Sequence, residues 1–144
     1  MIAIAQSFIN EMIEHAQEGF PNEVCGILAG RDGQIVKLYR MTNADASPVQ
    51  YTVEPSELLN VLLEIETQRW DVFGIYHSHT HSPAYPSPSD VRQALYPNSV
   101  YFIVSLADKE NPEIRAFRII KDEAADDDSH EGNGVIHEED LDII

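Results

Sequence analysis

The sequence predicts an α/β fold: one domain built on a mixed β-sheet flanked by helices. Segments with helical apolar spacing alternate irregularly with short apolar runs of strand type, which argues against a regular βαβ array. The chain has 144 residues, 43% of them hydrophobic, enough for one sizeable core. The run at residues 100–106 is apolar apart from Ser105, as expected of a strand buried on both faces.

The elements follow in order. Residues 3–19 place Ile4, Phe8, Met12 and Ile13 at helical spacing with Glu11, Glu14 and Glu18 opposite, and Gly19 and Pro21 end that helix. Residues 24–29 and 34–41 read as a β-hairpin turned by Gly30-Arg31-Asp32-Gly33. A loop over 43–48 leads to a third strand expected at 49–53. Pro55-Ser56-Glu57 opens a second helix with Leu58, Leu59, Val61, Leu62 and Ile65 on its apolar side. Residues 71–76 form a strand that runs straight into a group of histidines. Ser87-Pro88-Ser89-Asp90 has the N-cap serine, N1 proline and N3 acid of a third helix, expected to reach about Tyr96. Residues 113–120 should pair with the strand at 100–106. The expected organisation is a main domain at 1–121, an acidic mobile loop at 122–134, and a terminal strand at 135–144 packing on the same domain.

Charge and composition exclude several functions. The net charge is −16, with 15 acids against 9 bases up to Lys121 and 10 acids with no base after it. A chain so acidic, with no basic patch, should bind neither nucleic acid nor an anionic membrane. No apolar run approaches the roughly 18 residues of a membrane span. The first residues lack the basic region of a signal peptide. The single cysteine, Cys25, excludes an internal disulfide and any multi-cysteine zinc site, and it fits the cytoplasm. Nothing in the sequence sets the oligomeric state as monomer or homodimer.

Residues 76–90 read Y-H-S-H-T-H-S-P-A-Y-P-S-P-S-D. On a strand or its extension, His77 and His79 point to one face with Cβ atoms about 6–7 Å apart, close enough to share one ion. Asp90 could add a carboxylate, leaving a fourth position open as in catalytic zinc sites. Asp90 also has a structural role as the N3 acid of a capping box, and His81 lies on the same face as the other two histidines. Spacing alone does not choose among these.

His77-x-His79, seven residues, Ser87, two residues and Asp90 resemble the H-x-H-x7-S-x2-D signature of the JAMM (MPN+) metalloproteases. The alternative pair, His79 and His81, would need an aspartate where Arg92 stands. The family also carries an upstream glutamate in an E-x-C-G context, matched by Glu23-Val24-Cys25-Gly26. The resemblance implies a curved mixed sheet flanked by helices, related to the cytidine-deaminase fold, with the JAMM/MPN catalytic domain over residues 1–121. It implies one Zn2+ held by His77, His79 and Asp90, Glu23 as general base, and Ser87 as hydrogen-bond donor to the tetrahedral oxyanion. Cys25 is expected to be a packed strand residue rather than a nucleophile, and His81 a neighbour of the site.

Met41-Thr42-Asn43-Ala44, Ser47-Pro48, residues 75–80, residues 84–87 and Arg118-Ile119-Ile120 resemble a small bacterial branch of that family. Thr80, where many members have proline, agrees with this branch. The branch implies a peptidase that releases cysteine from the C-terminal Gly-Gly tail of a ubiquitin-like sulfur-carrier protein, reached as an extended strand added to a sheet edge. An isopeptidase acting on a ubiquitin-like modifier is the same-class alternative. A non-catalytic scaffold is disfavoured by the complete set of five residues. A zinc nucleoside deaminase is excluded, because its cysteine ligand pair cannot come from one cysteine.

Overall fold

The computed structural model describes residues 1–121 and 134–144. Its elements are β1 (Ile2–Ile4), α1 (Gln6–Gly19), β2 (Cys25–Arg31), β3 (Gln34–Met41), α2 (Pro55–Thr67), β4 (Asp71–His79), α3 (Pro88–Arg92), β5 (Val100–Ser105), β6 (Glu113–Lys121), β7 (Gly134–Glu139) and β8 (Leu141–Ile143). Six strands form one sheet in the order β3-β2-β4-β5-β6-β7. Within it β4 and β5 run parallel and the other neighbours antiparallel, so the sheet is mixed as predicted. Asp32-Gly33 turns the β2–β3 hairpin, and both residues have positive φ (52° and 78°), the backbone a two-residue Asp-Gly turn requires.

The two faces of the sheet bury different partners. Ile9, Met12 and Ala16 of α1 pack on Leu28, Tyr76, Phe102 and Val104. On the opposite face α2 and its neighbours cover Cys25, Ile27 and Ala29, while Val91 and Ala94 cover Ile75, Tyr101 and Ile103. Strands covered on both sides are apolar at successive positions, and β5 is buried along its full length. No helix among the described residues is long and apolar enough to cross a membrane.

Four expectations are corrected. The segment 3–19 is not one helix: Ile2 and Ile4 alternate buried with exposed Ala3 in β1, whose parallel partner is β8. Ala5 then caps α1, moving the buried face to Ile9, Met12 and Ala16. Residues 49–53 form no strand: beyond an isolated bridge between Asn43 and Val53, the Asn43 side chain takes the Gln50 carbonyl and the Thr52 amide that a partner strand would use. The third helix stops at Arg92 rather than near Tyr96; Pro97 disfavours helical backbone at the residue before it, and the Tyr96 amide donates instead to the Tyr101 hydroxyl. The C-terminal residues form two strands, with β7 on the large sheet and β8 on β1. Gly134 opens β7, and the rest of the expected loop, residues 122–133, lies outside the described residues.

Behind the sheet the buried Tyr76 hydroxyl meets His15 Nδ1 of α1 at 2.7 Å. Burial first, and the Arg40 guanidinium second, push the His15 pKa down to about 4 against the opposing pull of Glu18. The folded pKa lies below the unfolded value of 6.5, so the unfolded chain binds more protons between the two, and stability is lost as pH falls through this window. Screened at a half-buried ring, the loss should be about 1–2 kcal/mol at pH 5 relative to pH 7. Urea denaturation at both pH values should show a smaller difference in His15→Leu than in the parent. An equal difference would assign the acid sensitivity to the carboxylates alone.

Candidate active site

The carboxyl end of β4 carries His77 and His79 on one face, continuing the alternation from Ile75. His77 is 1% and His79 4% exposed, so both imidazoles have given up water for a protein environment. α3 brings Asp90 to them. Ser87 Oγ accepts the Asp90 amide at 3.1 Å while Asp90 Oδ2 accepts the Ser87 amide at 2.9 Å, a complete capping box. The same Oδ2 lies 2.9 Å from His79 Nε2 and 3.2 Å from His77 Nε2, and the two nitrogens are 3.1 Å apart.

These separations suit a cation. An ion with four tetrahedral ligands at about 2.0–2.1 Å places its ligand atoms roughly 3.3 Å from one another. His79 Nδ1 lies 2.7 Å from the Pro83 carbonyl, so it carries the hydrogen and leaves the Nε2 lone pair facing the cluster. Three lone pairs at such distances repel unless a proton or a metal ion lies between them. Burial disfavours charge on both groups, yet the pair resolves in favour of charge. The imidazoles hold the Asp90 carboxyl well below the usual carboxylate range, and the carboxylate and the Pro83 carbonyl raise His79. Among the described residues, this is the only set of three such side chains able to converge on one ion. His77 Nδ1 is buried without a hydrogen-bond partner, and the Tyr51 ring stacks on its imidazole at 4.6 Å between centroids.

Glu23 comes from the antiparallel neighbour. Cys25 stands opposite His77, and the ladder extends one step further because the Ser78 amide donates to the Val24 carbonyl at 3.0 Å and the Val24 amide to Ser78 Oγ at 2.8 Å. Glu23 therefore follows on the side facing His79. Its side chain is 6% exposed, and burial, reinforced by Asp90 and opposed by His79, raises its pKa to about 7. Cys25 is fully buried with its thiol pushed up to about 12, first by burial and then by nearby acids, an inert packed group as expected. His81 stands apart: its Nδ1 meets Thr80 Oγ1 at 2.9 Å and its ring tilts against Phe20.

Ser87 resolves a competition visible in the sequence. Capping uses a lone pair of its oxygen, so the hydroxyl hydrogen is not spent on the cap. Three contributors escaped sequence reasoning: Tyr51 over His77, Ser78 holding Val24, and Pro83 fixing His79. For Ser78 the only signal in the sequence was a serine set between two histidines. The other two depend on contacts that the sequence pattern does not carry.

A groove of about 410 Å³ opens beside Tyr51 on the face that carries the histidines, lined by Ile27, Val53, Leu58, Tyr96 and Tyr101. β4 is paired on both sides, with β2 and β5.

The fold and the site define a peptidase-type hydrolase. The model of the family of prokaryotic homologs of the JAB domain matches residues 5–120, and the chain belongs to that family. The CysO-cysteine peptidase of Mycobacterium tuberculosis is 38% identical over 122 residues, covering 83% of this chain and 84% of the relative. The desampylase of Haloferax volcanii is 35% identical over 111 residues, covering 72% of this chain and 80% of the relative. A solution structure of a Desulfitobacterium hafniense protein superposes with a TM-score of 0.81 at 34% identity, covering all of this chain and 93% of the other.

Proposed function

We propose that the chain is a zinc-dependent peptidase that cuts the amide bond after the C-terminal Gly-Gly of a ubiquitin-like sulfur-carrier protein, releasing cysteine. The observation that carries this reading is the convergence of three ligand atoms at tetrahedral-edge separations beside a buried glutamate whose pKa is near neutrality. The similarity to a CysO-cysteine peptidase supports the substrate class.

His77 Nε2, His79 Nε2 and Asp90 Oδ2 are the atoms that would hold the ion. Bound there, zinc supplies Lewis acidity toward a carbonyl and lowers the pKa of water to roughly 7. Glu23 takes a proton from the attacking water and returns it to the leaving amine, a task suited to a carboxyl with a pKa of about 7. Ser87 donates its hydroxyl hydrogen to the tetrahedral oxyanion while its oxygen caps α3. The groove accepts the apolar part of the carrier tail, and two glycines let the backbone pass the ring of Tyr51 without a side-chain collision.

Incubating the zinc-loaded protein with a carrier–cysteine adduct should yield free cysteine and a carrier lighter by that residue, read by mass spectrometry. An adduct that stays intact would sink the proposal. The similarity to a desampylase favours a second reading, isopeptidase action on a modifier conjugate, and a lysine-linked conjugate in the same assay separates the two.

A further inference from the structure

The side chain of Asn43 uses all of its hydrogen-bonding capacity on two segments of the site. Nδ2 donates to the carbonyls of Glu23 and Gln50, both at 3.0 Å. Oδ1 accepts the amides of Asp45 at 3.0 Å and Thr52 at 3.1 Å. Two carbonyls on one side and two amides on the other fix the orientation of the group without ambiguity. Gln50 and Thr52 flank Tyr51, whose ring lies on His77 and whose neighbours Thr52 and Val53 line the groove. One amide therefore ties the backbone of Glu23 to the wall of the groove.

Glu23 needs such a tie. It precedes β2, and its amide donates to Ser47 in a loop rather than to a strand. Its carbonyl is left to Asn43. Released from it, the carbonyl could recover a partner only by turning toward water, and the carboxyl would move with it.

We propose that Asn43 is a positioning residue for catalysis, one whose carboxamide holds the backbone of Glu23 at a fixed distance from the segment that carries Tyr51 over His77. The proposal rests on Glu23 acting as the base. Asparagine is required because only a carboxamide donates twice and accepts twice from one planar group. In Asn43→Asp the two acceptor contacts survive, but an oxygen replaces Nδ2 and faces two carbonyl oxygens. That substitution strikes the links to Glu23 and Gln50 and spares the bonds to Asp45 and Thr52.

The test is a double-mutant cycle on the zinc-loaded enzyme, using the carrier–cysteine adduct and, should that not be cut, the lysine-linked conjugate. Misplacing a catalytic group by about 1 Å costs on the order of 10²-fold, so Asn43→Asp should lower kcat by about 10–100-fold with zinc content unchanged. In a Glu23→Gln background the same substitution should change kcat by less than about 3-fold, because the group it positions is already gone. A merely structural asparagine would lower kcat by the same factor in both backgrounds, and that result overturns the proposal, as does full activity of Asn43→Asp. If Asn43→Asp does not fold, Asn43→Ser is read in its place by the same criteria. A Glu23→Gln enzyme as active as the parent would refute the role of Glu23 instead, so the two failures are distinguishable.

Discussion

Glu23→Gln should lower turnover by about 10²- to 10⁴-fold and leave the metal content at that of the parent. Glutamine keeps the volume of a side chain that is 6% exposed, so the wall of the site stays packed. It removes the capacity that the proposed function assigns to Glu23, to carry a proton from water to the leaving amine. The atoms able to converge on an ion belong to His77, His79 and Asp90, and under the proposed function zinc measured by mass spectrometry should not fall. The variant should also gain stability in alkaline, metal-free solution. The Glu23 pKa is raised to about 7, so the native state holds its proton through a range where the unfolded chain has lost it. Stability from this group declines as pH rises from about 4.5 to 7 and stays lost above, whereas a neutral amide carries no such penalty. A variant with parental turnover would remove Glu23 from the mechanism; one that loses its zinc would make it a structural support of the cluster.

The second large effect concerns stability. Gly26 faces the Tyr76 ring across the β2–β4 pair, and a Cβ added there would overlap the ring edge and its hydroxyl. Tyr76 is fully buried, hydrogen-bonded to His15 behind the sheet, and adjacent in sequence to His77, so it has little freedom to retreat. Gly26→Ala should cost about 3 kcal/mol, from overpacking together with strain on a buried hydroxyl bond. For a domain of this size that is a drop in Tm of about 10 °C. Calorimetry of the metal-free protein checks it, and a shift below about 2 °C would mean that Tyr76 swings aside freely.

The parts of this molecule that the sequence made legible are those written locally. The β2–β3 hairpin is announced by its Asp-Gly turn, the start of α3 by serine, proline and aspartate, and β5 by an apolar run. Alternation along one strand and one capping box made His77, His79 and Asp90 candidates for a common site, and the resemblance to a family signature chose them over His81. The illegible parts depend on partners far away in the chain. The sequence places Ile4 in the first turn of a helix because Ile4, Phe8 and Met12 keep helical spacing, while β8, the mate that makes Ile2–Ile4 a strand, lies far away in the chain. The segment 49–53 has strand composition, yet one asparagine side chain claims the Gln50 carbonyl and the Thr52 amide. Tyr51 gave no sign that its ring would lie on an imidazole.

The pairing of Ile2 with Leu141 and of Ile4 with Ile143 has a kinetic meaning. Bringing two such distant segments together carries a large loop-closure cost, and contacts of high sequence separation form late in folding. During synthesis β1 must wait, unpaired and apolar, until β8 emerges. The α1 helix, which follows β1, would settle fully only when β8 arrives. The catalytic face, built from residues 23–90, can assemble earlier, so the order of folding runs from the site outward to the closing pair.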